Sequence, residues 1–274
     1  MLYIADTLRH DPNTPVTEQL LATIHRLTTE NIAYENNTPG SYRSRGVSAG
    51  SYVPPRDHSS IRRLMAEFIR WLNNGAVASW PPAVRAVAAH FYFISIHPFG
   101  DGNGRTARAL ESFLLHQGRI NALGFYSLSN FYYRRREEYV AMLDDTRFKF
   151  GRDLTPFVCF ALNGLVEELE AVHGEVLEEI TWIAFNDYVR EQLARSGRLR
   201  TKAGDRLLWL LTHLREPMTV RELRSGASAA SHLYAGLSSK TLSRDLEYLR
   251  TEGLIVISDG TIWADLALMR EFMP

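Results

Sequence analysis

One twelve-residue stretch, His97 to Arg108, brings several side chains that could do chemistry close together in the sequence. It reads HPFGDGNGRTAR and holds a histidine, an aspartate, three glycines, an asparagine and two arginines. Glycines at the start of a helix let an anion approach the unpaired backbone N–H groups of the first helical turn, where the helix carries about half a positive charge. The stretch is therefore predicted to bind a phosphate group.

The charged and titratable side chains of this stretch favour a nucleotide with a metal ion. Arg105 and Arg108 are three residues apart and share a helix face, so they can clamp successive phosphates of a di- or triphosphate. The Asp101 carboxylate would repel those phosphates unless Mg²⁺ lay between them, and the ion would also neutralise charge during phosphoryl or nucleotidyl transfer. His97 suits proton removal near pH 7, and Asn103 offers an amide N–H to a further phosphate oxygen.

The stretch connects two predicted helices rather than a strand and a helix. Residues 81–97 begin with prolines and place apolar residues on one face, and residues 105–118 resume a helical period and end at a glycine. Because no predicted strand precedes the glycines and no GK[ST] follows them, dinucleotide-binding and P-loop motifs are excluded.

Most of the surrounding sequence is predicted to be helical. Thr17 is a candidate N-cap for an amphipathic helix. The apolar face of that helix is predicted to consist of Leu20, Ile24, Leu27 and Ile32. Residues 41–53, rich in glycine and serine, are predicted to form a surface β-hairpin. Further helices are predicted over residues 58–75, 130–146, 154–172 and 175–194.

The C-terminal region follows a different pattern. Residues 195–205 are polar, basic and glycine-containing, as a linker would be, and the order of helices and hairpin after them predicts a winged helix-turn-helix domain over residues 196–274. The second helix of such a motif enters the major groove, which makes Ser239, Lys240 and Arg244 candidate DNA contacts. From Ser196 onward, however, 11 Lys and Arg face 9 Asp and Glu, so dimerisation or target docking is kept as an alternative.

The composition limits the possible partners and compartment. Lys plus Arg and Asp plus Glu each total 31, so no overall charge draws the chain to nucleic acid or to a membrane. The single cysteine, Cys159, excludes an internal disulfide framework, and its apolar neighbours predict a core position. No signal peptide or membrane span is recognised, and a cytoplasmic location is expected.

The stretch HPFGDGNGRTAR matches in full the signature of the Fic family, H-x-F-x-[DE]-G-N-G-R-x-x-R. The resemblance extends upstream through PGSYRSRGVSAGSYVPP and downstream to YYRRREEYVAML. It implies an all-α, mainly helical Fic core with a β-hairpin flap at 41–53, assigned to residues 1–195, followed by the small winged-helix domain.

The resemblance also implies an activity, because Fic proteins usually transfer AMP from ATP to a Ser, Thr or Tyr hydroxyl of a target protein. It implies ATP and Mg²⁺ as cofactors, His97 as the general base and Asp101 as the metal ligand. Phe99 would anchor the loop in the core. The implied nucleotide-binding residues are Gly102, Asn103, Gly104, Arg105 and Arg108, with Tyr139 near the adenine.

The same resemblance implies partners and regulation. Val47, Ser48 and Ala49 of the flap would align a target segment by strand addition. Homodimers are common in the family, so a second copy of the chain is an expected partner. Many relatives carry an inhibitory helix with the pattern [ST]-x-x-x-E-[GN], and no Glu-Asn or Glu-Gly pair here has Ser or Thr four residues before the Glu. The chain is therefore predicted not to be autoinhibited through Arg108.

Three other functions stay open at the level of sequence. The same loop could transfer a phosphoryl group, or it could remove AMP from a modified protein. A third hypothesis is a DNA-binding regulator whose Fic core senses a nucleotide without turnover. An intact His97 favours transfer, since binding alone needs no base.

Overall fold

The computed structural model describes residues 2–32, 37–121, 128–151 and 153–271. These residues are mainly helical and include one three-stranded antiparallel sheet near the C-terminus. The chain divides into two compact units, Met1–Val172 and His173–Pro274, and each has a hydrophobic core of its own.

The first unit is built around two central helices that flank the HPFGDGNGRTAR stretch. Helix α5 ends just before His97 and helix α6 begins at Asn103; α2 packs on α6 and α3 packs on α5. The helices of this unit are α1 Leu2–His10, α2 Glu18–Thr29, α3 His58–Leu72, α4 Gly75–Ala78, α5 Pro82–Ile96, α6 Asn103–Gln117, α7 Leu128–Arg134 and α8 Arg136–Phe148. Helix α9, Thr155–Arg195, follows them and contains the boundary between the units.

Helix α2 shows how local sequence sets a helix start while packing sets its buried face. The Thr17 side chain accepts a hydrogen bond from the backbone N–H of Leu20 at 3.1 Å, which confirms the predicted N-cap. The buried stripe centres on Leu21 and Ile24. Leu27 lies to the side of this stripe and is 47% exposed, and Ile32 lies beyond the helix, so their predicted burial is wrong.

The boundary between the units differs from the predicted position at residues 195/196. Helix α9 is continuous where the sequence predicted two helices, and the division falls inside it, after Val172. The reason is packing: the C-terminal part of α9 contributes Trp182, Phe185, Val189 and Leu193 to the second core. The predicted linker is a short connection, because the next helix already begins at Lys202.

The exposure of Cys159 also differs from the prediction made from its neighbours in the sequence. Cys159 is exposed on α9, although its apolar neighbours predicted a core position. The buried residues of this helix segment are Phe157, Ala161 and Leu165, four residues apart, which places position 159 on the opposite side.

The second unit carries the predicted order of helices and strands. Strand order in the sheet is β1-β3-β2, and Asp259 and Gly260, both with positive φ, form the turn between β2 and β3. After α9, the elements are α10 Lys202–His213, β1 Met218–Thr219, α11 Val220–Ser225, a 3₁₀ turn at His232–Tyr234, α12 Ser239–Thr251, β2 Ile255–Ser258, β3 Thr261–Ala264 and α13 Ala267–Glu271. The identification of this unit as a winged helix-turn-helix stays a prediction.

The hairpin predicted over residues 41–53 is much shorter than expected. It consists of one antiparallel bridge between Ala49 and Tyr52, with N–O distances of 2.9 and 3.2 Å. Farther from the turn, the carbonyl groups of Arg45 and Pro55 accept hydrogen bonds from the Arg43 side chain. Residues 41–55 are called the flap segment below.

Among the described residues, none of the helices combines the length and apolar character needed to cross a membrane.

Candidate active site

His97 caps the C-terminal end of α5 in a left-handed backbone conformation, with φ of 53°. Its Nδ1 lies 3.2 Å from the carbonyl oxygen of Ile94. A carbonyl group only accepts, so Nδ1 carries the hydrogen and the lone pair is on Nε2. Burial lowers the pKa of His97 to about 4, and the nearby guanidinium groups of Arg43 and Arg147 act in the same direction. The ring is therefore neutral near pH 7 and able to accept a proton.

The loop after His97 is held from inside by Phe99 and Asn103. The Phe99 ring is fully buried and stacks on the His25 ring, with centroids 3.6 Å apart and planes 4° from parallel. The Asn103 side chain accepts from the backbone N–H of Phe99 and donates to its carbonyl, both at 2.9 Å. Asn103 is only 2% exposed, and its predicted contact with a phosphate stays a prediction. Its side chain holds the shape of the loop.

Gly102 is required by both conformation and packing. It is the N-cap of α6 with φ of 73°, in the left-handed region. A Cβ atom at this position would lie 2.4 Å from Cγ2 of Thr29 and 3.3 Å from Nε2 of His25. The Thr29 and His25 side chains of α2 can therefore pack this closely on the loop only because residue 102 has no side chain.

Asp101 and Arg105, both predicted ligands, contact each other. Arg105 Nη2 lies 2.6 Å from Asp101 Oδ2, and Arg105 Nη1 donates to the carbonyl of Thr28 at 3.2 Å. Both side chains are partly exposed. Asp101 Oδ1 has no partner among the residues that the structure describes, so one carboxylate oxygen is available to a cation. No group of three or more metal-ligating side chains occurs in the described residues, and any divalent ion here would share its shell with substrate oxygens and water.

Arg108 projects toward the N-terminus of α6. A Cβ atom on Gly104 would lie 3.2 Å from Arg108 Nη1, so the guanidinium group lies beside the first turn of the helix. Within the described part of the chain it has no hydrogen-bond or ion-pair partner. It borders a cavity of about 210 Å³ that Tyr139 also lines, which brings the predicted phosphate and adenine residues to one place. The remaining lining residues are Ser129, Tyr132, Tyr133, Arg136 and Val140.

A buried polar network behind this cavity was not foreseen from the sequence. Glu111, only 1% exposed, accepts from the Tyr132 hydroxyl at 2.9 Å and lies 3.3 Å from Nδ1 of His90. Nε2 of His90 lies 2.9 Å from the Tyr139 hydroxyl. Burial raises the pKa of both tyrosines, so their hydroxyl groups stay protonated. The only signal in the sequence was a histidine at an inward position of α5 and a carboxylate at an inward position of α6.

Comparison with known proteins assigns the segment that contains this site. The Fic/DOC family model matches residues 15–115. Residues 15–115 are a Fic/DOC domain.

Curated relatives of the Fic/DOC domain match over a short segment. The protein adenylyltransferase Fic of Drosophila erecta is 41% identical over 76 residues, and that of Drosophila ananassae is 43% identical over 76 residues. The match covers 28% of this chain and 15% of each relative.

Solved structures extend the likeness in fold. A Fic family protein from Desulfovibrio desulfuricans G20 has a TM-score of 0.52 at 21% identity and covers 96% of this chain and 72% of its own. Fic-1 from C. elegans has a TM-score of 0.50 at 24% identity, covering 64% of this chain and 50% of its own. At these identities the likeness shows the fold alone.

The flap segment of the Fic/DOC domain borders a second cleft, of about 400 Å³. This cleft is lined by Thr38, Arg43, Ser44, Arg45, Gly46, Val47 and Gly100. Of the predicted target-docking residues, Val47 lines the cleft and Ala49 forms the bridge with Tyr52, while Ser48 is exposed. The cleft joins the flap segment to the loop at Gly100, three residues after His97.

The candidate DNA-binding residues lie outside the Fic/DOC domain, at the N-terminal end of α12. Ser239, Lys240 and Arg244 are exposed there. The opposite face of α12 is buried through Leu242, Leu246 and Leu249, as predicted. The Ser239 hydroxyl accepts from Arg224 at 2.9 Å. DNA binding stays a prediction, as does dimerisation.

Proposed function

We propose that this protein is an adenylyltransferase that moves AMP from Mg-ATP to a Ser, Thr or Tyr hydroxyl of a target protein. The observation that carries the proposal is a neutral His97, with its lone pair on Nε2, on a loop that leads to a helix N-terminus and to Arg108, which has no partner among the described residues. This arrangement supplies a base at one end and an anion site at the other, as in-line transfer to a hydroxyl requires.

In the proposed reaction, His97 Nε2 takes the proton of the incoming hydroxyl group. The oxygen forms a bond to the α-phosphorus while the bond from that phosphorus to the bridging β-oxygen breaks, and pyrophosphate leaves. Arg108 and the first N–H groups of α6 hold the phosphates against repulsion. The partly exposed Asp101, through the Oδ1 atom that no described residue binds, would hold Mg²⁺, which would neutralise the negative charge of the phosphates.

The test uses two radioactive labels and a matched control variant. The purified protein is incubated with Mg²⁺ and a cell lysate, with either α-³²P-ATP or γ-³²P-ATP. His97→Ala should abolish labelling and leave ATP affinity, measured by calorimetry, nearly intact. His173→Ala removes an exposed histidine of α9 far from the loop in sequence and should leave labelling unchanged.

The label pattern decides between functions. Protein labelled from the α position alone, and lost in His97→Ala, supports AMP transfer. Label from the γ position alone would show phosphoryl transfer. No label from either position, with ATP binding intact, would refute transfer and favour AMP removal or nucleotide sensing.

A further inference from the structure

Arg43 is a buried arginine whose guanidinium group donates to three backbone carbonyl groups and to no side chain of the described residues. It is 5% exposed, and no carboxylate pairs with it in the described part of the chain. Nε donates to the carbonyl of His97 at 2.7 Å, Nη1 to that of Arg45 at 2.9 Å, and Nη2 to that of Pro55 at 2.7 Å. One side chain therefore joins the backbone of the candidate base to both ends of the flap segment.

The backbone of Arg43 strengthens the same connection. Its N–H donates to the carbonyl of Pro98 at 3.0 Å, and its own carbonyl lies 2.9 Å from Nδ1 of His58 at the start of α3. Two consecutive carbonyl groups of the catalytic loop, at positions 97 and 98, thus bind the same residue. The left-handed conformation of His97 fixes where its ring points, and these contacts hold that conformation in place.

A role in stability alone does not explain an arginine at this position. Burial of a guanidinium group costs hydration free energy, and an apolar residue would fill a buried position without that cost. The planar guanidinium group of arginine can donate to three carbonyl groups at once through Nε, Nη1 and Nη2. Lysine has a single ammonium group and cannot reproduce this arrangement. Arginine at this position is therefore explained by the geometry of its three hydrogen bonds.

We propose that Arg43 is a positioning residue that couples the flap segment to His97, so that a docked target and the base keep a constant separation. The inference rests on the proposed function, in which the cleft between Val47 and Gly100 receives the main chain of the target. Arg43 lines that cleft from its buried side and does not line the cavity of Arg108 and Tyr139. Nucleotide binding and target transfer should therefore respond differently to its loss.

The test compares Arg43→Lys and Arg43→Gln with Arg56→Gln, which removes an exposed arginine just after the flap segment. Hydrogen–deuterium exchange of residues 44–55 and 97–101 is followed by mass spectrometry, together with ATP affinity and α-label transfer. We expect faster exchange in both segments for both Arg43 variants, since lysine keeps the charge but cannot bind three carbonyl groups. Transfer should fall about 100-fold, the effect of a misplacement near 1 Å, with ATP affinity unchanged.

The exchange measurement separates failure of this inference from failure of the proposed function. If Arg43→Lys exchanges and transfers like the wild-type protein, charge alone matters and the coupling is refuted. Faster exchange in one segment only would refute it as well. If the wild-type protein transfers no label while both segments still loosen together, the coupling stands and the proposed function fails. Thermal unfolding of Arg43→Lys, the milder variant, shows whether transfer is lost through a local change around residue 43 or through unfolding of the domain.

Discussion

Removal of the Asn103 side chain should destabilise the Fic/DOC domain rather than remove a nucleotide contact. Asn103→Ala deletes the acceptor for the N–H of Phe99 and the donor to its carbonyl, both at 2.9 Å and both buried. A lost hydrogen bond costs about 1 kcal/mol, and a buried group left without a partner adds about 1–3 kcal/mol. We expect the free energy of unfolding to fall by roughly 2–4 kcal/mol, since the loop can relax and rehydrate part of this backbone.

Two matched variants sharpen the measurement. Asn103→Asp keeps an acceptor for the N–H of Phe99 but places a second carboxylate oxygen against its carbonyl, so it should be destabilising as well. Asn130→Ala changes an exposed residue of α7 and should alter stability by no more than about 0.5 kcal/mol. Differential scanning calorimetry suits a chain with two cores, because separate unfolding transitions can be resolved.

The stability and the ATP affinity of Asn103→Ala together decide between a structural role and a nucleotide contact. If Asn103→Ala unfolds like the wild-type protein and its affinity for ATP drops, the amide contacts the nucleotide and does not hold the loop. Loss of stability in both Asn103 variants, with ATP affinity reduced only in proportion to unfolding, supports the structural role.

Three further outcomes are expected. Gly102→Ala should lower the free energy of unfolding, measured with urea, by about 2–5 kcal/mol, because alanine is strained in the left-handed conformation and its Cβ would clash with Thr29. A decrease below about 1 kcal/mol would contradict the close contact between residue 102 and Thr29. The proposed AMP transfer would require neutral His97, whose pKa is lowered to about 4. Activity should therefore persist as the pH falls below the ordinary value of 6.5 and be lost near pH 4. Loss of activity near pH 6.5 would instead show that the His97 ring is solvated. Arg108→Gln should weaken ATP binding, measured by calorimetry, by about 10- to 100-fold, which is the contribution of a charge-assisted hydrogen bond. The unfolding temperature should not change. An unchanged affinity for ATP would show that Arg108 does not bind the phosphates.

The local architecture of the site follows from the sequence by itself. Residues a few positions apart decide where a helix starts and ends, so the position of His97 at the end of α5 and the glycines at the start of α6 could be predicted. The helix period likewise places Arg105 and Arg108 on one helix face, and the full motif matches the Fic signature.

The partners of these residues were decided by tertiary packing. Arg43 binds a carbonyl 54 residues away in the chain, and His90 binds the hydroxyl of a residue 49 positions on. From a sequence pattern alone such polar residues are predicted to be solvent-exposed, because the pattern does not show which distant segment of the chain buries them.

Packing also decided what a potential ligand does in the folded chain. Asn103 looks like a phosphate ligand in the motif, and only the folded structure shows that its buried amide binds the backbone of Phe99. The unit boundary inside α9 follows from which core its apolar residues join, a property of contacts between segments. Local spacing therefore determines the chemistry available to this protein, and long-range packing determines which groups are free to perform it.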